Sequence, residues 1–207
     1  MAGVNKRGRF ITLEGVDGAG KSTHIPWIAQ SLQTGGREVV LTREPGGTPL
    51  AEKLRALVLT EAMAPLAETF LMFAARRDHV EKVILPALAR GAWVVCDRFS
   101  DATAAYQGGG KGVSADLLRR LVEATHPGLM PDQTLIFDCP YDVSRSRMSA
   151  SGRALDRFEA EGQAFFERVR AAYQDIARKE PGRARLIDAS KGSDEVKAEI
   201  NKILISN

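Results

Sequence analysis

The sequence predicts an α/β domain: a five-stranded parallel sheet flanked by helices in three layers. Five apolar runs with β-branched character recur along the 207 residues. Each is continuous rather than alternating, the pattern of parallel strands covered on both faces. Helical patterns separate the runs, as in βαβ units. A glycine-rich loop follows the first run and opens a helix, which narrows the class to folds that hold phosphate at a helix N-terminus.

The first run is RFITLEG, residues 9–15, and the helix STHIPWIAQSLQTGG follows it, closing on Gly35 and Gly36. EVVLTRE, residues 38–44, is the second strand, and LAEKLRALVL after it is a short amphipathic helix. AETFLMFAARRDHVEKVILPALARGA reads as one long helix with Pro86 inside and Gly91 at its end. AWVVCDRF, residues 92–99, is the third strand. SADLLRRLVEAT starts at Ser114 as N-cap and stops before Pro127. QTLIFDC (133–139) and RARLIDA (183–189) complete the sheet, with GQAFFERVRAAYQDIARK and SDEVKAEINKILI as the remaining helices. QGGGKG (107–112) and MSASGRALDR (148–157) read as mobile loops. No repeat or linker divides the chain, so residues 1–207 form a single domain.

Composition narrows the class. Hydrophobic residues make up 44% and charged residues 27%, ordinary for a globular domain. No run approaches the ~18 apolar residues of a membrane span. The start, MAGVNKRGRF, lacks the apolar core of a secretory signal. Cys96 and Cys139 are isolated thiols at strand ends, which suits a reducing compartment, so a cytoplasmic protein is expected. A net charge of +3 without a concentrated basic face argues against a nucleic-acid partner. Of the 29 basic residues 20 are Arg, which fits phosphate handling and equally a GC-rich coding sequence.

The chemistry begins at GVDGAGKST. Gly15, Val16, Asp17, Gly18, Ala19, Gly20, Lys21, Ser22 and Thr23 have the spacing of a P-loop in its required strand-to-helix context. The glycines let backbone N–H groups turn onto phosphate oxygens, Lys21 bridges the outer phosphates, and the Ser22 hydroxyl ligates magnesium. Asp97, at the carboxyl edge of the third strand, resembles an acid that holds magnesium through water, with a strand-end ion pair to Arg98 as the plainer alternative. A GTPase needs Asn-Lys-x-Asp after a late strand and Asp-x-x-Gly at the third, and neither is present.

In their place stand TREPGG (42–47), LMFAARR (71–77), DRFSDATAAYQGGG (97–110) and LDRFE (155–159). Together with GVDGAGKS, these segments resemble those of the bacterial thymidylate kinases from about residue 9 to about residue 190. The resemblance implies an ATP:dTMP phosphotransferase making dTDP for dTTP biosynthesis, with Mg²⁺ brought in alongside ATP. It implies a homodimer, for which the FLMFAARRDHVEKVILPAL helix offers an apolar face. It also implies that Asp17 accepts a hydrogen bond from the acceptor's 3′-hydroxyl, and that Phe73 stacks on thymine. Arg77, four residues on and on the same helical face, then donates to a base carbonyl. FLMFAA is apolar nearly all round, and apart from the resemblance Phe73 reads as core. Tyr106 lies against the sugar, Thr103 and Gln107 help read the base, and Glu44, Arg55 and Arg98 complete the acceptor site. Catalysis falls to Lys21, Arg98 and a lid arginine: Arg147, Arg153 or Arg157, with Arg153 ranked first. An ATPase or switch that gives the phosphate only to water is the alternative.

Overall fold

The computed structural model describes residues 7–150, 152 and 156–205. Five parallel strands make one sheet in the order β2-β3-β1-β4-β5. They are β1 (Phe10–Gly15), β2 (Val39–Arg43), β3 (Trp93–Asp97), β4 (Gln133–Asp138) and β5 (Ala184–Asp188), each within two residues of its apolar run. The inner strands β3, β1 and β4 are buried almost throughout. The edge strands leave Leu41 and Leu186 at 48% and 40% exposure, so cover on both faces is complete only for the inner three.

Helices α1 (Lys21–Thr34), α2 (Pro49–Thr60), α3 (Pro65–His79), α4 (Leu85–Ala89), α5 (Ser100–Thr103), α6 (Ala115–Thr125), α7 (Tyr141–Ala150), α8 (Gln163–Lys179) and α9 (Ser193–Ile205) surround the sheet. Alternate residues of β1 enter opposite cores, which makes the three layers. Ile11 and Leu13 pack with Ile28, Val169 and Ile200 beneath α1, α8 and α9. Phe10 packs with Val80, Ile84, Val94 and Phe99 on the other face.

Three local expectations change. The long helix is broken into α3, a π-helical turn over Val80–Ile84, and α4. Pro86 has no N–H to give and its ring crowds the preceding turn. The helix widens just before it, with Leu85 N–H donating to Val80 O five residues back. QGGGKG is not a loose loop: Ala104–Gly110 is a π-helical segment packed on α8. A Cβ on Gly110 would stand 2.5 Å from the Phe165 ring, so glycine there is what lets α8 approach. Ser114 precedes α6, but its side chain makes no capping bond. Of the 148–157 segment, residues 148–150 belong to α7 and residues 151 and 153–155 lie outside the described residues.

Strand register positions the site. Leu13 and Arg43 both stand opposite Asp97, and Glu44 N–H donates to Asp97 O at 2.9 Å. The carboxyl ends of β1, β2 and β3 therefore present Gly15, Glu44 and Asp97 at one edge, beside the point where strand order reverses.

Candidate active site

The loop after β1 turns into α1 so that its N–H groups and the helix's positive end face one cavity of about 1550 Å³. Gly15 is required at the turn: it has φ of 123°, and a Cβ would lie 2.2 Å from Phe137 O. Lys21 folds back over the loop, with Nζ donating to Gly15 O and Val16 O at 3.0 Å each. Burial, helped by the Arg98 charge, lowers its pKa from 10.5 to about 8. From α7, Ser144 Oγ donates to Asp17 O at 2.7 Å and steadies the loop.

Asp97 and Ser22 line the same cavity. Asp97 Oδ1 is buried without a hydrogen-bond partner, an unfavourable state for a carboxylate until a cation or donor arrives. The pair fits a magnesium ion carried in on a polyphosphate. Among the described residues no cluster of three or more His, Cys, Asp or Glu could hold a metal on its own.

Arg98 adopts φ of 70°, uncommon for a residue with a side chain. Its guanidinium turns back across β1. Nη1 donates to Gly15 O and Tyr173 Oη at 3.0 and 3.1 Å, and Nη2 donates to Asp17 Oδ1 and Tyr106 Oη at 2.6 and 3.1 Å. Tyr106 Oη donates to Asp17 Oδ2 at 2.7 Å, closing the ring. Burial works to raise the Asp17 carboxyl, yet Arg98, Lys21 and Tyr106 hold it below its ordinary value. Beneath this ring Glu14 accepts from Phe99 N and Tyr173 Oη at 2.7 and 2.8 Å. Burial, with the Asp101 charge, pushes Glu14 up to about 8.

A second cleft adjoins the first. Asp17, Glu44, Arg55, Arg98 and Asp156 line both, so the two cavities meet at two arginines and three acids. From α3 the second cleft receives Met72 and Arg76. Arg76 is 3% exposed and tightly held: Nε donates to Glu44 Oε2 at 2.7 Å, and Nη2 to Phe99 O and Thr103 Oγ1 at 3.1 and 3.0 Å. Its Nη1 is buried with no partner among the described residues. Glu44 also meets His79 Nδ1 at 2.9 Å; burial would raise its carboxyl, but Arg76 and His79 keep it low.

A family model described as thymidylate kinase matches residues 13–200. The chain belongs to the thymidylate kinase family. It is 59% identical over 198 residues to a thymidylate kinase of Bordetella pertussis, covering 96% of this chain and 95% of that one. It is 55% identical to a thymidylate kinase of Methylobacillus flagellatus, covering 96% and 97% of the two chains. The crystal structure of a thymidylate kinase from Ehrlichia chaffeensis superposes with a TM-score of 0.78 at 36% identity, covering 96% of this chain and 99% of that one.

Within this kinase fold the two cavities gather most of the residues expected from sequence: Asp17, Glu44, Arg55, Arg98, Thr103, Tyr106 and Gln107 line the second cleft. Phe73 and Arg77 do not reach it. They lie one residue, about 100°, round α3 from Met72 and Arg76. Phe73 is buried against His126 with ring centroids 6.3 Å apart, and Arg77, half exposed, pairs with Glu81 and Thr125 O. Of the lid arginines, Arg147 lines the P-loop cavity. Arg157 is tied to Val58 O and Glu68, and Arg153 lies outside the described residues. Asp156 and Phe158 enter the second cleft from LDRFE, and Glu14 supports the site from beneath; none of the three was given a role from sequence, although LDRFE carries two of them. The apolar setting of Glu14 inside β1 was the available signal.

Proposed function

We propose that the protein transfers the γ-phosphoryl group of ATP to the phosphate of dTMP, giving ADP and dTDP. The observation that carries this reading is the junction of the cavities: a P-loop cavity and an apolar-walled cleft share Asp17, Arg55 and Arg98. Phosphoryl transfer needs positioning and charge neutralisation more than covalent chemistry. Lys21 and Arg98 bridge the transferring phosphoryl group, and Arg55 holds the acceptor phosphate, which is already anionic and needs no strong base. Arg147, which lines the P-loop cavity, supplies the lid arginine in this reading. Ser22 and Asp97 would hold Mg²⁺, which would neutralise charge on the ATP phosphates.

In the cleft, Arg76 Nη1 supplies the donor that a thymine O4 accepts, taking the role that sequence assigned to Arg77. Tyr106, fixed by Asp17 and Arg98, sits beside the sugar and favours deoxynucleotides. Exposed Leu50 and Leu57 on α2, with Leu66 and Phe70 on α3, offer an apolar face to a second copy. No helix among the described residues is long and apolar enough to cross a membrane, and a cytoplasmic location accords with the reading.

The test is a comparison of kcat/KM for dTMP, dUMP and dCMP. Cytosine places an amino donor against Arg76, and an unpaired buried donor costs ~1–3 kcal/mol or more. dTMP is expected to exceed dCMP by at least about tenfold, since roughly 1.4 kcal/mol is a factor of ten. dUMP lacks only one methyl, ~0.8 kcal/mol, and falls between. Arg76→Met is expected to compress the dTMP-to-dCMP gap and Arg77→Ala to leave it unchanged. Equal wild-type use of dCMP rejects the thymidylate assignment, and compression by Arg77→Ala alone moves the base to the other face of α3.

Lys21 also gives a pH expectation. Its ammonium form holds phosphate, and bound polyphosphate raises its pKa above the value of about 8 in the free protein. Affinity for ATP is therefore full below pH 8 and lost as pH rises above it, by up to about tenfold per unit until the pKa of the complex is passed. A KM for ATP that stays flat from pH 7 to 9 contradicts this.

A further inference from the structure

Just outside the cleft one carboxylate gathers three donors. Glu68 lies one turn before Met72 on the face of α3 that carries Arg76, and it is 0% exposed. Its Oε1 accepts from Gln107 Nε2 at 2.8 Å, and its Oε2 accepts from Lys111 Nζ at 2.7 Å and from Arg157 Nη2. Arg157 also donates to Val58 O from Nε and Nη2, at 3.1 and 2.8 Å. Phe158, a wall of the cleft, is flanked by both cations, 4.6 Å from Lys111 Nζ and 4.9 Å from the Arg157 guanidinium. Two cations thus offset the cost of burying the Glu68 charge.

A carboxylate accepts hydrogen bonds and gives none, whereas a glutamine amide does both. Facing Glu68, Gln107 must turn Nε2 towards it. Its Oε1 accepts no hydrogen bond among the described residues, and Gln107 lines the cleft. We propose that Glu68 is a specificity-determining positioning residue. By fixing the amide of Gln107 it makes the cleft present an acceptor to the base. The cleft then selects a pyrimidine whose N3 carries a hydrogen, as in thymine, over one whose N3 is a bare acceptor, as in cytosine. The inference rests on the reading of the cleft as the dTMP site.

Glu68→Gln tests it. An amide at this position can donate, so Gln107 is free to turn and offer Nε2 to the cleft. The ratio of kcat/KM for dTMP to that for dCMP is expected to fall at least about tenfold. Part of that fall comes from a gain in dCMP use. The preference compresses rather than reverses, because Arg76 still opposes the cytosine amino group. Glu68→Asp keeps acceptor-only chemistry and is expected to keep the wild-type ratio even at lower kcat. The shorter pair Glu68→Asp and Glu68→Asn, equal in size and differing in the donor, repeats the comparison where Glu68→Gln does not fold. A merely structural role lowers both substrates alike, so an unchanged ratio in the amide variants overturns the proposal. Failure of the wild type to use dTMP rejects the reading of the cleft instead.

Discussion

Lys21→Ala is expected to lower kcat by at least about a hundredfold while the protein stays folded, because removing one preorganised donor from a developing charge costs ~10²–10³ in rate. The amine holds only two loop carbonyls in the free protein, at 3.0 Å each. Of the two, Gly15 O still accepts from Arg98 Nη1 when the amine is gone. Burial already disfavours the ammonium, as its pKa of about 8 records, so the charge is kept there at a cost to the fold. Asp97 and Asp17 offset that burial only in part, and a polyphosphate adds the further negative charge that holds the ammonium. Steady-state kinetics with a thermal melt on the same preparation decides: near-normal turnover in a folded variant removes Lys21 from the chemistry.

Arg98→Ala is expected to be more damaging still, lowering kcat/KM for dTMP by ~10³ or more. The guanidinium makes four contacts at once: the one to Asp17 sets the wall shared by both cavities, and the one to Tyr106 sets a wall of the second cleft. Its removal also takes from Asp17 the cation that contacts it, one of the charges that hold that carboxyl low. Arg98→Lys is expected to rescue little. An ammonium is a point charge and cannot span Gly15 O and Asp17 from one planar fork. A lysine variant with near wild-type kcat contradicts the geometric role, and full activity in Arg98→Ala contradicts the role altogether.

The legible parts of the molecule were those that a local pattern determines. Runs such as QTLIFDC are apolar without alternation because β4 is covered on both faces, and burial of every residue but the last makes that visible in sequence. The phosphate loop was legible because its glycines answer to backbone sterics: nothing but glycine fits 2.2 Å from Phe137 O. Most of the second cleft was legible too, but its α3 wall was not, because LMFAARR contains two pairs at helical spacing, Met72 with Arg76 and Phe73 with Arg77. Both are locally sound. Tertiary partners choose between them: Glu44, Phe99 and Thr103 come from other elements and lock Arg76, while Arg77 is left to an exposed pair with Glu81. The glycines after Tyr106 misled in the same way. They read as a mobile loop, but they mark where α8 comes close to a π-helical segment.

The central claim is that the phosphate passes to a thymidine nucleotide and not to water. ADP formation measured with ATP and Mg²⁺, with and without dTMP, together with dTDP quantified by chromatography, tests it most directly. The expected result is ADP release that depends on dTMP and matches dTDP mole for mole. ADP released at the same rate without dTMP, with no dTDP formed, contradicts the account.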